Sequence, residues 1–92
     1  MPALQVNLPA LLHDSVGGHA TLSIPGPTLG DALTTLLDRH PVLRTHLYES
    51  PGKTRQHVLL FFNGDNLAWL PSLDVPLRDG DELQVVNAVS GG

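Results

Sequence analysis

The sequence predicts an α+β fold, a mixed five-stranded sheet with one helix packed on one face. Three observations lead there. Alternating apolar and polar residues recur near both ends of the chain, the period of a half-buried strand. A single stretch carries the 3.6-residue apolar stripe of a helix. The order, two strands, a helix, then three strands, buries that stripe only if the helix lies across one sheet face. The 92 residues, 41% of them apolar, suffice for one small core. The expected organisation is a folded domain over 1–88 and a flexible tail over 89–92.

Each element has its own signal. In "ALQVNL", Leu4, Val6 and Leu8 face one way and Gln5 and Asn7 the other. "LLHDSVGG" reads as a loose loop turning at Gly17 and Gly18. "HATLSI" alternates again, with Ala20, Leu22 and Ile24 on one face, so the first two strands form a hairpin. In "PGPTLGDALTTLLDRHP", Thr28 is placed to cap the helix and Asp31 to complete a box-like pairing. The acid also suits the positive end of the helix dipole. Leu29, Ala32, Leu33, Leu36 and Leu37 make the stripe, and Pro41 ends the helix. At roughly 1.5–3 kcal/mol per fully buried large side chain, the stripe is a main source of stability. "VLRTHLYESPGKTRQ" is a long connection with a short helical turn at Val42 to Leu47. "HVLLFFN" is the third strand and "GDNLAWL" a turn with a short fourth. "PSLDVPL", with two prolines, is irregular. "RDGD" turns at Gly80, and "ELQVVNAV" is the last strand. With the first and last strands side by side in the centre, this is the β-grasp, or ubiquitin-like, arrangement.

Composition narrows the function. The net charge is -4 and there is no cysteine. No basic stripe exists for nucleic acid, and no apolar run is long enough for a membrane span. The N-terminal stretch has no basic region ahead of its apolar residues, so it does not read as a secretory signal. The expected compartment is the cytoplasm, by default. Disulfides, thiolate metal sites and cysteine nucleophiles are excluded.

The ending "VSGG" stands out, because glycine packs nothing and loses the most backbone entropy on ordering. One reading is a frayed end. The other is a slim arm whose carboxylate another protein must reach. A β-grasp domain ending "LRDGDELQVVNAVSGG", with the helix start "PTLGDALTTLL", resembles the small sulfur carriers of the MoaD/ThiS family over essentially its whole length. The "SPGK" loop and the length look most like the actinobacterial carriers that serve cysteine synthesis.

The resemblance implies a non-enzymatic carrier. In this family the terminal carboxylate, here on Gly92, attacks the α-phosphate of ATP on a separate E1-like adenylating and sulfurating enzyme. Sulfur then displaces AMP to give a thiocarboxylate. Gly91 beside it keeps the arm narrow. The carrier itself binds no cofactor; ATP and the sulfur donor are used on the partner. The implied partners are that enzyme, a cysteine synthase and a metalloprotease that releases cysteine. The alternatives are the small subunit of molybdopterin synthase, whose partner is the large catalytic subunit, a ubiquitin-like modifier joined to lysines, and a structural module with an idle tail.

The third and last strands are apolar on both faces, and one face meets the helix. For the other, two readings stand: cover by the 41–56 connection or scattered exposure, and a docking patch of Leu59, Phe61, Val86 and Ala88 beside the tail. The acids Asp74, Asp79, Asp81 and Glu82 are read as solvated turn residues or as a device steering a basic partner rim. Other motifs fail. Gly52-Lys53-Thr54 lacks the first glycine of a phosphate-binding loop, whose place Leu47 holds. Histidines 13, 19, 40, 46 and 57 match no zinc spacing. No serine, histidine and acid cluster is legible. Lys53 is the only lysine.

Overall fold

The computed structural model describes residues 2–50 and 53–87. Strands β1 (Ala3–Asn7), β2 (Thr21–Pro25), β5 (Val58–Phe62), β6 (Asp65–Asn66) and β7 (Glu82–Asn87) form one sheet in the order β2-β1-β7-β5-β6. β1 and β7 run parallel, with Val6 opposite Leu83, and the other pairings are antiparallel. The first and last strands therefore lie together, as the β-grasp order requires. Helix α1 (Leu29–Arg39) crosses one face, and a short helix α2 (Val42–Leu47) follows it.

Inward side chains alternate along each central strand: Leu4 and Val6 on β1, Val58, Leu60 and Phe62 on β5, Leu83 and Val85 on β7. They meet Leu29, Ala32, Leu33 and Leu36 of α1 in a single cluster, with Leu37 partly buried against it. Among the described residues no polar or charged residue is buried, so no desolvated charge works against this core.

Helix α1 starts where the sequence predicts. Thr28 Oγ1 accepts from the Asp31 backbone N–H at 3.2 Å and donates to Asp31 Oδ2 at 2.9 Å. The "PSLDVPL" segment completes the cap. The Leu29 and Gly30 N–H groups, which have no partner inside a helix, donate to the Val75 and Leu73 carbonyls, both at 2.9 Å. The Leu77 N–H donates back to the Pro27 carbonyl at 3.0 Å. A Cβ at Gly26 would meet the Ala32 backbone nitrogen at 2.9 Å, so a side chain there would push the chain off the helix.

Three expectations are corrected. The loop after β1 is not loose: Ala10–Val16 is a 3-10 helix that buries Leu12 and Val16 and ends on left-handed Gly17. The expected fourth strand stops at Asn66, whose side chain accepts from the Ala68 N–H at 2.9 Å and starts a 3-10 turn over Leu67–Trp69. The 41–56 connection holds, besides α2, a small hairpin of β3 (Tyr48–Ser50) and β4 (Lys53–Thr54).

Candidate functional site

Strand β7 is held firmly at its start. Asp81 accepts from the Arg78 N–H at 2.8 Å and from Asn63 Nδ2 at 3.1 Å, while Asn63 Oδ1 accepts from the Glu82 N–H at 2.9 Å. Asn63 occupies the left-handed region, φ 50°, which asparagine tolerates better than most residues. Asp81 is thus engaged in closing its turn and tying the β5–β6 hairpin to β7.

The other end of β7 is its last described residue, Asn87. Asn87 pairs with Val58 at the start of β5. Ala88, the last residue of the expected domain, and the expected 89–92 tail, Gly91 and Gly92 included, lie outside the described residues. The acidic turn is at the opposite end of the strand. At ~3.3 Å per residue the six residues of β7 separate the two by about 17 Å.

On the sheet face away from α1, Leu59 stands directly opposite Val86, and Phe61 opposite Gln84. Leu59 is 37% exposed, and Phe61 and Val86 are half-buried. Phe61 and Val86 are one diagonal step apart, within reach of an aromatic side chain. The register thus brings the three described members of the predicted patch together, beside the Asn87 end of β7. Toward β1 and β2 the face turns polar, through Gln84, Asn7 and Thr21, whose Oγ1 donates to Asn7 Oδ1 at 3.2 Å. The 41–56 connection buries Leu43 and Leu47 in the same core as α1, so it packs on the helix side of the sheet.

That side carries a feature the motif reading missed. A groove of about 510 Å³ lies between α1 and the α2–β3 segment, lined by Leu33, Leu37, Tyr48 and Leu73 and by Arg44 and Arg55. Burial pushes the Tyr48 hydroxyl above its usual range, against the opposing charge of Arg44. Arg44 pairs with Asp38 at 2.8 Å. Arg55 Nε donates to the Thr45 carbonyl at 2.7 Å. On the adjoining hairpin Lys53 and Glu49 pair at 2.9 Å, which holds the ammonium pKa up and the carboxyl pKa down. The signal for this groove was the clustering of cations: four of the five lie between Arg39 and Arg55.

The histidines do not assemble. His13 Nε2 donates to the Leu8 carbonyl at 3.0 Å, bracing the first loop. Among the described residues no group of three or more His, Cys, Asp and Glu side chains is placed to hold a metal. Among them too, no helix is long and apolar enough to cross a membrane.

Comparison with known proteins follows this geometry. The sulfur carrier protein CysO of Mycobacterium tuberculosis is 29% identical over 89 residues, 95% of this chain and 96% of its own. Small archaeal modifier protein 1 of Haloferax volcanii is 35% identical over 65 residues, 71% of this chain and 70% of its own. The crystal structure of Mycobacterium tuberculosis CysO superposes with a TM-score of 0.77 at 27% identity, over 94% of this chain and 99% of that one. With the ThiS family model matching residues 6–92, the chain belongs to the ThiS family of ubiquitin-like sulfur carriers and modifiers.

Proposed function

We propose that the chain is a cytoplasmic sulfur carrier whose Gly92 carboxylate is activated by a partner enzyme. The observation that carries this reading is the family match, which runs through Gly92. A carboxylate is a poor acyl donor because its leaving group is oxide. An oxygen of the carboxylate attacks the α-phosphorus of ATP, and pyrophosphate leaves. A sulfide then attacks the acyl carbon of the adenylate, and AMP leaves with the original carboxylate oxygen. The product is a thiocarboxylate that delivers sulfur to an acceptor. The α-carboxyl, with a reference pKa of about 3.3–3.7, is ionised at neutral pH and ready for the first step.

The partner supplies the nucleotide site and the catalytic groups, and this chain supplies the acyl group and the surface that presents it. Gly91 and Gly92 carry no β-carbon and pass a narrow channel. Leu59, Phe61 and Val86, with Ala88 two residues further along the sequence, form the docking patch. Its place beside the Asn87 end of β7 supports this assignment, because a partner seated there meets the arm directly. The acceptor pathway we assign is cysteine synthesis, in keeping with the likeness to CysO.

The likeness to small archaeal modifier protein 1 favours a second reading, attachment of the tail to lysines. One experiment separates the two. The purified chain is incubated with its adenylating enzyme, ATP and sulfide, and its intact mass is followed. The carrier reading expects the replacement of one oxygen by sulfur, then a cysteinyl adduct on the tail when the acceptor synthase and its activated substrate are added, and return to the starting mass when the metalloprotease hydrolyses that adduct. A ladder of larger protein adducts in cells without such transfer sinks the carrier reading in favour of the modifier.

A further inference from the structure

Charge on this molecule is divided between two ends. Arg39, Arg44, Lys53 and Arg55 fall in one stretch that contains a single acid, Glu49, whereas Asp65, Asp74, Asp79, Asp81 and Glu82 gather around Arg78. The fold turns this division into geometry. The Val58 N–H donates to the Arg55 carbonyl at 3.0 Å, and Val58 pairs with Asn87. Arg55, the last cation of the stretch, therefore sits near the Asn87 end of β7. Glu82, Asp81 and Asp79 sit at the far end, about 17 Å away at the usual strand rise.

We infer that the groove between α1 and the α2–β3 segment, with its cations Arg44 and Arg55 and with Lys53 on the adjoining hairpin, is a second docking surface that receives an acidic segment of the adenylating enzyme carrying an apolar anchor. The identity of that partner rests on the sulfur-carrier reading; the surface and its charge do not. Three observations fix the chemistry of the occupant. The lining is mixed, apolar at Leu33, Leu37, Tyr48 and Leu73, cationic at Arg44 and Arg55, and acidic at Glu49, whose charge Lys53 offsets at 2.9 Å; the two guanidinium groups beside the apolar residues suit a segment offering a large apolar side chain next to carboxylates. The cations are available. Among the described residues Arg44 is held by an exposed pair with Asp38, with side chains 55% and 65% exposed, and Lys53 by a similarly open pair with Glu49. Such solvent-exposed pairs are exchanged at little cost. Arg55 commits its Nε to the Thr45 carbonyl, one of five guanidinium N–H donors. Finally, the whole chain carries a net charge of -4, so an acidic partner is repelled by most of the surface and attracted at this end. That orients the encounter with the arm toward the partner.

Of the two readings the sequence leaves for the acidic turn, solvated residues or a steering device, the first is thus favoured, and steering, with the opposite sign, is placed at the opposite end. Asp81 is occupied in holding its own turn, and its neighbours are a strand's length from the Asn87 end.

The test uses the full chain and its adenylating enzyme, with two readouts: equilibrium binding without ATP, and the rate of thiocarboxylate formation against carrier concentration and salt. Paired Arg44→Glu and Lys53→Glu substitutions are compared with Arg78→Glu, a reversal at the acidic end, and melting curves check folding. The neutral pair Arg44→Gln and Lys53→Gln stands in if the reversal fails to fold. The expected result is about a tenfold rise in Kd and KM with kcat kept and a flatter salt dependence, as for charges at the rim of an interface. Arg78→Glu should stay within about twofold of the parent. The inference is overturned if the patch variants bind like the parent, if Arg78→Glu has the same effect, or if the parent does not bind. It is also overturned if low salt makes the parent self-associate through the patch, which assigns the groove to the acidic end of a second copy. Binding that depends on the patch without any thiocarboxylate would remove the sulfur-carrier reading and leave this one standing.

Discussion

Leu59 and Leu60 are chain neighbours with opposite assignments, so truncating each in turn tests the register of the whole sheet. Leu60 is 3% exposed and packs into the α1 core, while Leu59 is 37% exposed on the other face, opposite Val86. Leu→Ala at a buried site costs about 2–5 kcal/mol, the lost transfer energy plus the cavity left behind. With the core cluster on every side, a mid-range value of about 3 kcal/mol suits Leu60→Ala. At roughly 0.05–0.15 kcal/mol per residue, the whole 92-residue domain is stable by about 5–14 kcal/mol, so this is a large share. Leu59→Ala removes chiefly a cross-strand pair, worth about 0.2–1 kcal/mol. Each kcal/mol moves the Tm by about 4–8 °C in a domain of this size. Leu60→Ala should therefore melt about 12–24 °C below the parent, and Leu59→Ala no more than about 8 °C below it. Urea titration checks both in free energy. In the thiocarboxylation assay, run where both variants are folded, the order should invert, with Leu59→Ala raising KM and Leu60→Ala leaving it unchanged. Equal destabilisation by the two, or a milder Leu60→Ala, would refute the placement of β5 and with it the docking face.

Three further outcomes are expected. Thr28→Ala removes the side-chain acceptor for the Asp31 N–H and should lower unfolding free energy by about 1 kcal/mol, read by urea titration. Asn63→Ala loses the bonds to Glu82 and Asp81 and strains a left-handed residue, so a loss of about 2 kcal/mol is expected, with Asn63→Gly losing less. The Tyr48 pKa is raised from 10.0 by burial, which means that the folded state prefers the neutral phenol. Its contribution is complete below pH 10 and is lost as the pH rises through the higher folded-state value. Alkaline melts should show this extra loss in the parent and not in Tyr48→Phe.

Much of this architecture was legible because its signals are long or chemically specific. The α1 stripe spans three turns and carries a capping side chain at Thr28 and a stop at Pro41. The alternation along Val58–Phe62 and Glu82–Asn87 assigned faces correctly, since a strand's period of two leaves no third choice. The misses have a common cause. Tyr48–Ser50 and Lys53–Thr54 are too short for any period to register. Leu12 and Val16 are buried by a 3-10 helix, whereas the adjacent glycine pair pointed to a turn. "DNLAWL" kept strand-like residues but lost the strand to Asn66, whose side chain captures the Ala68 N–H. The apolar sheet face of Leu59, Phe61 and Val86, proposed for docking, was legible for the same reason as the strands. The groove was not, because α1, α2 and β3 meet only through tertiary packing, although the crowding of cations between Arg39 and Arg55 was in plain view.

The central claim is that the reacting atom is the carboxyl carbon of Gly92. After incubation with the adenylating enzyme, ATP and sulfide, fragmentation of the intact protein in the mass spectrometer locates any sulfur gained. The account predicts the added mass only in fragments containing Gly92, and none in Gly92→Val. Sulfur found on any other residue, or no gain with an enzyme that thiocarboxylates its own family carriers, would contradict it.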